Sequence, residues 1–348
     1  MGESRSGLRR KARIDRSPGL KSVQKTMNAV TRVVNALLLS CCACVVQAAE
    51  PAYPVRPIRF IAPFAPGGPS DTLARLLSPR LNERLGQPVI VDNRPAAAGI
   101  VGFEMAAKSA PDGYTMLLGS NGGLTMNPSL YQKLPYNPAR DYQAVTQIES
   151  GPQILVVHPS VSAKSVQELI AFAKAKPGQI NFASAGTTNR IAAELFKAQA
   201  GIDIVNVPYK GTGQALADLV GGQVQMMMMS ALTAIAPVKS GKLRGLAVSS
   251  LKRAAVVADL PTVSESGLPG FESTSWHGVL VPSHTPRPIV ARLHAESVKA
   301  LTQPDVRARL ATLGFEVVAS TPEEFAAFIR QQTSKHEKLI KEIGLKAE

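Results

Sequence analysis

The sequence predicts an α/β fold, and three observations carry that expectation. Short apolar runs alternate with helical patterns from residue 57 onward, and those runs are continuously apolar rather than alternating with polar residues. At residues 63–71, PFAPGGPSD, a strand-like run (Ile58-Arg59-Phe60-Ile61) passes through a glycine-rich turn into a helix-like run. Alternation of this kind builds a largely parallel sheet with connecting helices. Unbroken apolar strands are those covered by helices on both faces.

In order, strands are predicted at 58–62, 89–91, 115–118, 154–157, 180–183, 204–207, 224–229, 243–248 and 278–281, each a run dominated by Val, Ile, Leu, Met, Phe or Ala. Helices are predicted between many of them, at 71–85, 165–175, 190–200, 212–220 and 286–301. A last helix at 322–343 brings Phe325, Phe328 and Ile329 near helical spacing, then runs into a charged end.

The 348 residues suffice for two domains of ordinary size. Half of the net charge of +14 belongs to the first 48 residues, which hold nine Lys/Arg against two Asp/Glu. The mildly basic remainder has no cationic block and suits an anionic ligand better than duplex nucleic acid. Residues 33–46, VVNALLLSCCACVV, form an apolar run after Arg32, and Val46-Gln47-Ala48 fits a small-x-Ala cleavage site. Together these predict a secretory signal peptide within residues 1–48, a mature start at Ala49 and a periplasmic protein. The run is short for a permanent membrane span. Residues 1–26 are either a long basic region or precede a true start at Met27. All three cysteines, Cys41, Cys42 and Cys44, fall inside the run, so cleavage leaves a cysteine-free protein. An imperfect lipobox at Leu38-Leu39-Ser40-Cys41 offers a lipidated Cys41 as the alternative.

Catalytic constellations are thin. The five histidines (His158, His277, His284, His294, His336) make no HExxH and no Cys/His pairing, so no metal or other cofactor is expected. There is no GxSxG elbow, no GxxxxGK[ST] loop and no GxGxxG after the first strand. Asp71 reads as a helix-capping residue or as a general base. Met226 to Met229 reads as core filler or as a ligand-facing stripe.

What the chain does offer is anion cradles. Gly67 and Gly68 permit a sharp turn, Ser70 and Asp71 supply N-cap oxygens, and a helix start adds partial positive charge. The same pattern recurs at residues 182–190, FASAGTTNR, and following the strand at 115–118 in Ser120-Asn121-Gly122-Gly123. Two cradles facing one another across a cleft would hold a small anion by backbone N–H and hydroxyl donors.

Seven stretches carry a resemblance to a known family: YPVRPIRFIAPFAPGGPSDTLARLL, LGQPVIVDNRPAAAG, APDGYTMLLGSNGG, LPYNPARDYQAV, VPYKGTGQALADLVGGQVQ, GKLRGLAV and TPEEFAAFI, spread between Tyr53 and Ile329. The chain resembles the extracytoplasmic solute receptors of tripartite tricarboxylate transporters, the Bug receptors. The resemblance implies a periplasmic binding protein fold: two α/β lobes, crossing hinge strands and an interlobe ligand cleft. One lobe would comprise residues 49–151 plus 282–348, the other residues 152–281. It also implies a small carboxylate ligand and closure of the lobes around it. The membrane partners would be a large and a small subunit of the transporter. Neither nucleic acid nor enzymatic turnover is implied, and a monomer is expected. Phe64, Ala65, Gly67, Gly68, Ser70 and Asp71 correspond to the first carboxylate-binding loop. Ser184, Ala185, Gly186, Thr187 and Thr188 correspond to the second, with Asn121 and Gly122 from the third cradle. Tyr209 and Trp276 admit both a cleft-lining and a core reading.

Two departures stand out. The second loop usually reads close to SxGxGSxxHLAxELF, whereas here it is SAGTTNRIAAELF, two residues short, lacking the second glycine and with Arg190 where His is common. Arg190 either pairs a ligand carboxylate or is solvated. The other departure, Ala96-Ala97-Ala98, replaces a Gly-rich turn. The same fold also serves a second reading, a sensing subunit that docks to a membrane two-component kinase.

Overall fold

The computed structural model describes Val23, residues 25–32 and residues 53–345. The chain divides into an N-terminal unit, residues 1–52, and a main unit, residues 53–348. In the first, residues 25–32 are helical and exposed. The expected signal run at 33–46, its cysteines and the cleavage site lie outside the described residues. Among the described residues no helix is long and apolar enough to cross a membrane.

One curled sheet organises the main unit. Strand β1 (Ile58–Ala62) lies parallel to both β2 (Val89–Asn93) and β3 (Thr115–Ser120). Strand β3 is antiparallel to β9 (Thr274–Pro282), and β9 is antiparallel to β4 (Tyr142–Val157). The far end of β4 pairs antiparallel with β7 (Met226–Ser230) and β8 (Arg244–Val248). Beyond β7, β5 (Asn181–Ser184) runs parallel to it and to β6 (Val205–Pro208). A two-residue strand, β10 (Glu316–Val317), pairs antiparallel with β4. Each half is therefore parallel inside, and the halves meet through antiparallel strands. The expectation of a largely parallel sheet holds within each half and fails at the centre, because a strand that passes between halves must return beside itself.

The 16-residue β4 serves both halves, spanning on the order of 50 Å at the strand rise. Only its last four residues, 154–157, read as a strand in the sequence. The earlier portion, YQAVTQIESGPQ, interleaves polar residues that the fold buries with partners. The Thr146 hydroxyl donates to the Ser320 carbonyl at 2.8 Å, and the Gln153 N–H donates to the Ser249 hydroxyl at 2.8 Å. Burial of polar residues with partners costs little, and it erases the apolar signature.

Helices α1 (Pro69–Leu85), α2 (Ile100–Ala107), α3 (Asn127–Leu130) and α4 (Pro138–Asp141) belong to the first half. Helices α5 (Val166–Ala175), α6 (Thr187–Ala200), α7 (Thr212–Val220) and α8 (Ala231–Lys239) follow in the second. Helices α9 (Arg287–Leu301), α10 (Pro304–Thr312) and α11 (Pro322–Glu342) close the chain. Leu73, Leu77 and Leu81 of α1 pack on Ile58 and Phe60 in one core, and Phe182, Phe196 and Leu169 centre another. The four methionines of β7 alternate between two cores, Met226 and Met228 in one and Met227 and Met229 in the other. They are core filler. Trp276 is core as well, edge-on to Phe325 at 5.7 Å and Phe328 at 5.2 Å.

Helix α11 docks through a buried histidine. His336 Nδ1 lies 2.8 Å from the Thr125 hydroxyl, which in turn donates to the Asn121 carbonyl at 2.7 Å. Burial, aided by Lys335, pushes the His336 pKa down to about 4. The unfolded chain, titrating near 6.5, binds a proton the folded chain refuses, so stability is complete above about pH 6.5 and is lost as pH falls toward 4. Between pH 7 and 4.5 this single group removes about 2.5 kcal/mol. Urea unfolding at both values checks it: the wild type is expected to lose that much more than His336→Gln, and equal losses would refute the assignment.

Candidate functional site

Four helices start at one cleft. The N-caps of α1, α6, α7 and α8 are Gly68, Gly186, Gly211 and Ser230, and none carries a side-chain capping hydrogen bond. All four residues line a single cleft between the halves. A helix start leaves its first-turn N–H groups without intrahelical partners and carries about half a positive charge. Four of them aimed at one space make an anion site without a cationic side chain. Among the described residues no Lys, Arg, Asp or Glu lines the cleft, and His277 is its one titratable residue.

The sequence dictates each start. Pro69 at the first helical position of α1 is pre-set for the helix and gives up an N–H that would be unpaired. Gly186 sits at φ 154°, ψ 170°, a region essentially reserved for glycine, and its turn lets α6 begin at the cleft wall. After β3 the chain winds into a π turn, Gly122–Met126, which delivers Asn121 to the cleft.

The floor is polar. Ser120 ends β3, Gln153 comes from β4, Ser275 and His277 from β9, and Ser230 ends β7. The hydroxyls of Ser120 and Ser230 are buried without a protein partner. Each such group costs about 1–3 kcal/mol unless a ligand or water satisfies it. The cleft encloses about 70 Å³, several times what one water needs.

The halves touch across it. Thr188 donates from its hydroxyl to Asn121 Oδ1 at 2.9 Å, and Thr187 to Asn127 Oδ1 at 2.6 Å. Asn121 Nδ2 is itself tied to the Thr274 carbonyl at 3.0 Å. A methyl added to Gly211 would stand 3.0 Å from the Ala65 methyl, and one on Gly186 would stand 3.4 Å from the Phe64 ring. The threonine hydroxyls thus latch one half to the other, leaving their backbone N–H groups for the cleft.

Of the residues expected from sequence, Phe64, Ala65, Gly68, Ser70, Asn121, Ala185, Gly186, Thr187 and Thr188 come together here. The others do not line the cleft. Gly67 is exposed at φ 81° and donates its N–H to Asp71 Oδ2 at 2.9 Å. Asp71 also accepts from Arg75 Nε at 2.9 Å. Burial opposes its charge, but the Gly67 N–H and Arg75 hold the carboxyl below the usual carboxylate range. It fastens the loop from behind. Gly122 is buried, and a methyl there would stand 3.0 Å from the Thr188 hydroxyl. Ser184 is buried within β5, where its carbonyl accepts the Tyr209 N–H. Arg190 is half-buried on α6, away from the lining. Tyr209 lines a neighbouring cavity of about 240 Å³ together with Phe64 and Ala96 to Gly99, and its hydroxyl donates to Asp218 Oδ2 at 2.9 Å.

Sequence reasoning missed Gln153, Gly211, Thr212, Ser230, Thr233, Ser275 and His277. Tyr209-Lys210-Gly211-Thr212 did carry a signal, a small-residue turn between a strand and a helix. Ser230 and the crossing-strand residues carried none, since polar side chains inside strands look like surface. Among the described residues no three His, Cys, Asp or Glu side chains group in a way that could hold a metal.

Two α/β halves, crossing strands between them and an anion-seeking cleft at the crossing define a solute-binding receptor of periplasmic type. Residues 73–345 match the family described as tripartite tricarboxylate transporter family receptor, and the chain belongs to that family. It is 39% identical over 284 residues to a UPF0065 protein from the tcbD-tcbE intergenic region of Pseudomonas sp. strain P51, covering 81% of this chain and 84% of that one. Among solved structures it is similar to R. palustris Rpa4515 with adipate, at TM-score 0.82 and 32% identity, covering 84% of this chain and 99% of that one. MatC from Rhodopseudomonas palustris with bound malate is also similar, at TM-score 0.80 and 34% identity, covering 83% of this chain and all of that one (100%).

Proposed function

We propose that this receptor binds a small carboxylate in the cleft and delivers it to the large and small membrane subunits of a tripartite carrier. The observation that carries the reading is the convergence of four uncapped helix N-termini on a cleft free of charged lining side chains. Such a site favours a compact anion and discriminates against cations. The malate and adipate seen in two similar structures support the same ligand class. The lobes are residues 49–151 plus 282–348 and residues 152–281, with β4 and β9 as the hinge. Ligand favours the closed form, and the Thr187–Asn127 and Thr188–Asn121 bonds latch it. The chain acts in the periplasm as a monomer after cleavage following Ala48, and releases its ligand unchanged.

A thermal-shift screen of residues 49–348 against mono-, di- and tricarboxylates and aromatic acids tests this. A binding carboxylate at about one hundred times its Kd stabilises the folded form by about 2.7 kcal/mol. A clear rise with a few related acids is expected, and no rise with any acid would refute the carboxylate reading.

A further inference from the structure

At the floor of the cleft His277 is backed by a carboxyl buried behind it. His277 on β9 faces Glu149 on β4 directly across the strand pair. Its Nδ1 is 2.6 Å from Glu149 Oε1. Glu149 is completely buried, and its second oxygen, Oε2, is buried without a partner. His277 is 6% exposed and that exposure is to the cleft it lines. With Nδ1 held by the carboxyl, Nε2 is the nitrogen left to face whatever the cleft holds.

We propose that His277 is a ligand-binding residue: Glu149 fixes its ring so that Nε2–H donates to an anionic oxygen of the ligand, and binding takes up one proton. The inference rests on the carboxylate reading above and deepens it.

The proton count follows from the pair's geometry. When Glu149 is ionised and His277 neutral, the ring proton sits on Nδ1 against the carboxylate, and Nε2 presents a lone pair. A ligand carboxylate meeting that lone pair, with a buried negative charge behind it, is repelled. Adding one proton from solvent converts Nε2 to a donor. The pair is then neutral overall, whether as imidazolium and carboxylate or as imidazole and carboxylic acid, and in both forms Nε2 carries hydrogen. Burial raises the Glu149 pKa overall, and the His277 contact offsets only part of that rise. Among the described residues no other charge acts on Glu149, Ser120 of β3 pairs with His277 from the other side, and the rest of the cleft lining carries no ionisable side chain. His336 of α11 bonds Thr125, not this pair.

Isothermal titration with malate and with adipate, on the wild-type chain between about pH 6.5 and 8.5, keeps both ligand carboxyls ionised. Repeating each titration in buffers of different ionisation enthalpy counts protons. Expected is uptake approaching one proton per ligand at the upper end, with affinity falling by up to about tenfold per pH unit. Glu149→Gln, whose amide holds the ring without titrating, and His277→Gln, which keeps a fixed donor, are each expected to flatten that slope. Binding with no proton uptake and a flat profile in the wild type would overturn the inference and leave the receptor reading standing. Failure of malate, adipate and every other carboxylate to bind would overturn both.

Discussion

Ser230→Asp is expected to fold at least as well as the parent and to lose carboxylate binding by a hundredfold or more. Ser230 is the N-cap of α8, and its hydroxyl is buried in the cleft without a partner. Aspartate is among the best N-cap residues, so the new carboxylate takes the first-turn N–H groups for itself. It then stands where the ligand's anionic group must go. Like charges brought together in such a site cost several kcal/mol, whereas Ser230→Ala removes one neutral donor and costs about 0.5–1.5 kcal/mol. Titration with whichever acid stabilises the parent, alongside a melting curve, separates the two. If Ser230→Asp bound the acid as tightly as Ser230→Ala, the helix-start account of the site would be wrong.

The second large effect is on stability. Gly278→Ala places a methyl group into the Phe325 ring and 2.9 Å from the Thr146 carbonyl oxygen. Neither neighbour can yield, since Phe325 is fully buried against Trp276 and Thr146 belongs to the paired β4. Overpacking of this kind costs about 1–3 kcal/mol, and a backbone clash lies at the upper end. For a unit of this size the upper end lowers Tm by about 5 °C. Gly213→Ala is the control: a methyl there meets no atom within 4 Å, and Gly213 lies in α7. It is expected to match the parent or gain up to about 1 kcal/mol. A Gly278→Ala protein melting with the parent would contradict the packing described at the crossing strands.

Where sequence and structure agree, local chemistry was enough. The glycine turns before α1 and α6 announced both cradles, because a tight turn into a helix requires particular residues at particular places. The apolar strands β1, β5, β6 and β7 were legible to within two residues at either end. Illegibility has two physical sources. Strand β9 carries Trp276 and His277, and β4 carries Gln147 and Glu149, polar groups buried where the two strands cross, with His277 and Glu149 set against one another. That placement is tertiary, so no local pattern encodes it. Asp71, which reads as a cap or a general base, and Arg190, which reads as a ligand partner or a solvated residue, both fall outside the cleft lining, because side-chain orientation is not written in the local sequence. Asp71 turns back to hold Gly67 and Arg75, and Arg190 is half-buried outside the lining.

The length of β4 has a consequence for how such a molecule can be divided. A single uninterrupted strand of 16 residues is the inner member of one sheet half and also of the other. Residues 142–152 of this strand pair with β9 and residues 153–157 with β7 and β8, so a cut along it parts the ladder of one half from that of the other. The halves are therefore not interchangeable cassettes. A chimera that swaps residues 152–281 for those of a relative must carry a matching half of this strand, and a fragment ending at residue 151 lacks the segment that β7 and β8 pair with. Whatever specificity these receptors exchange must travel through the loops and helix starts, with the spine left whole.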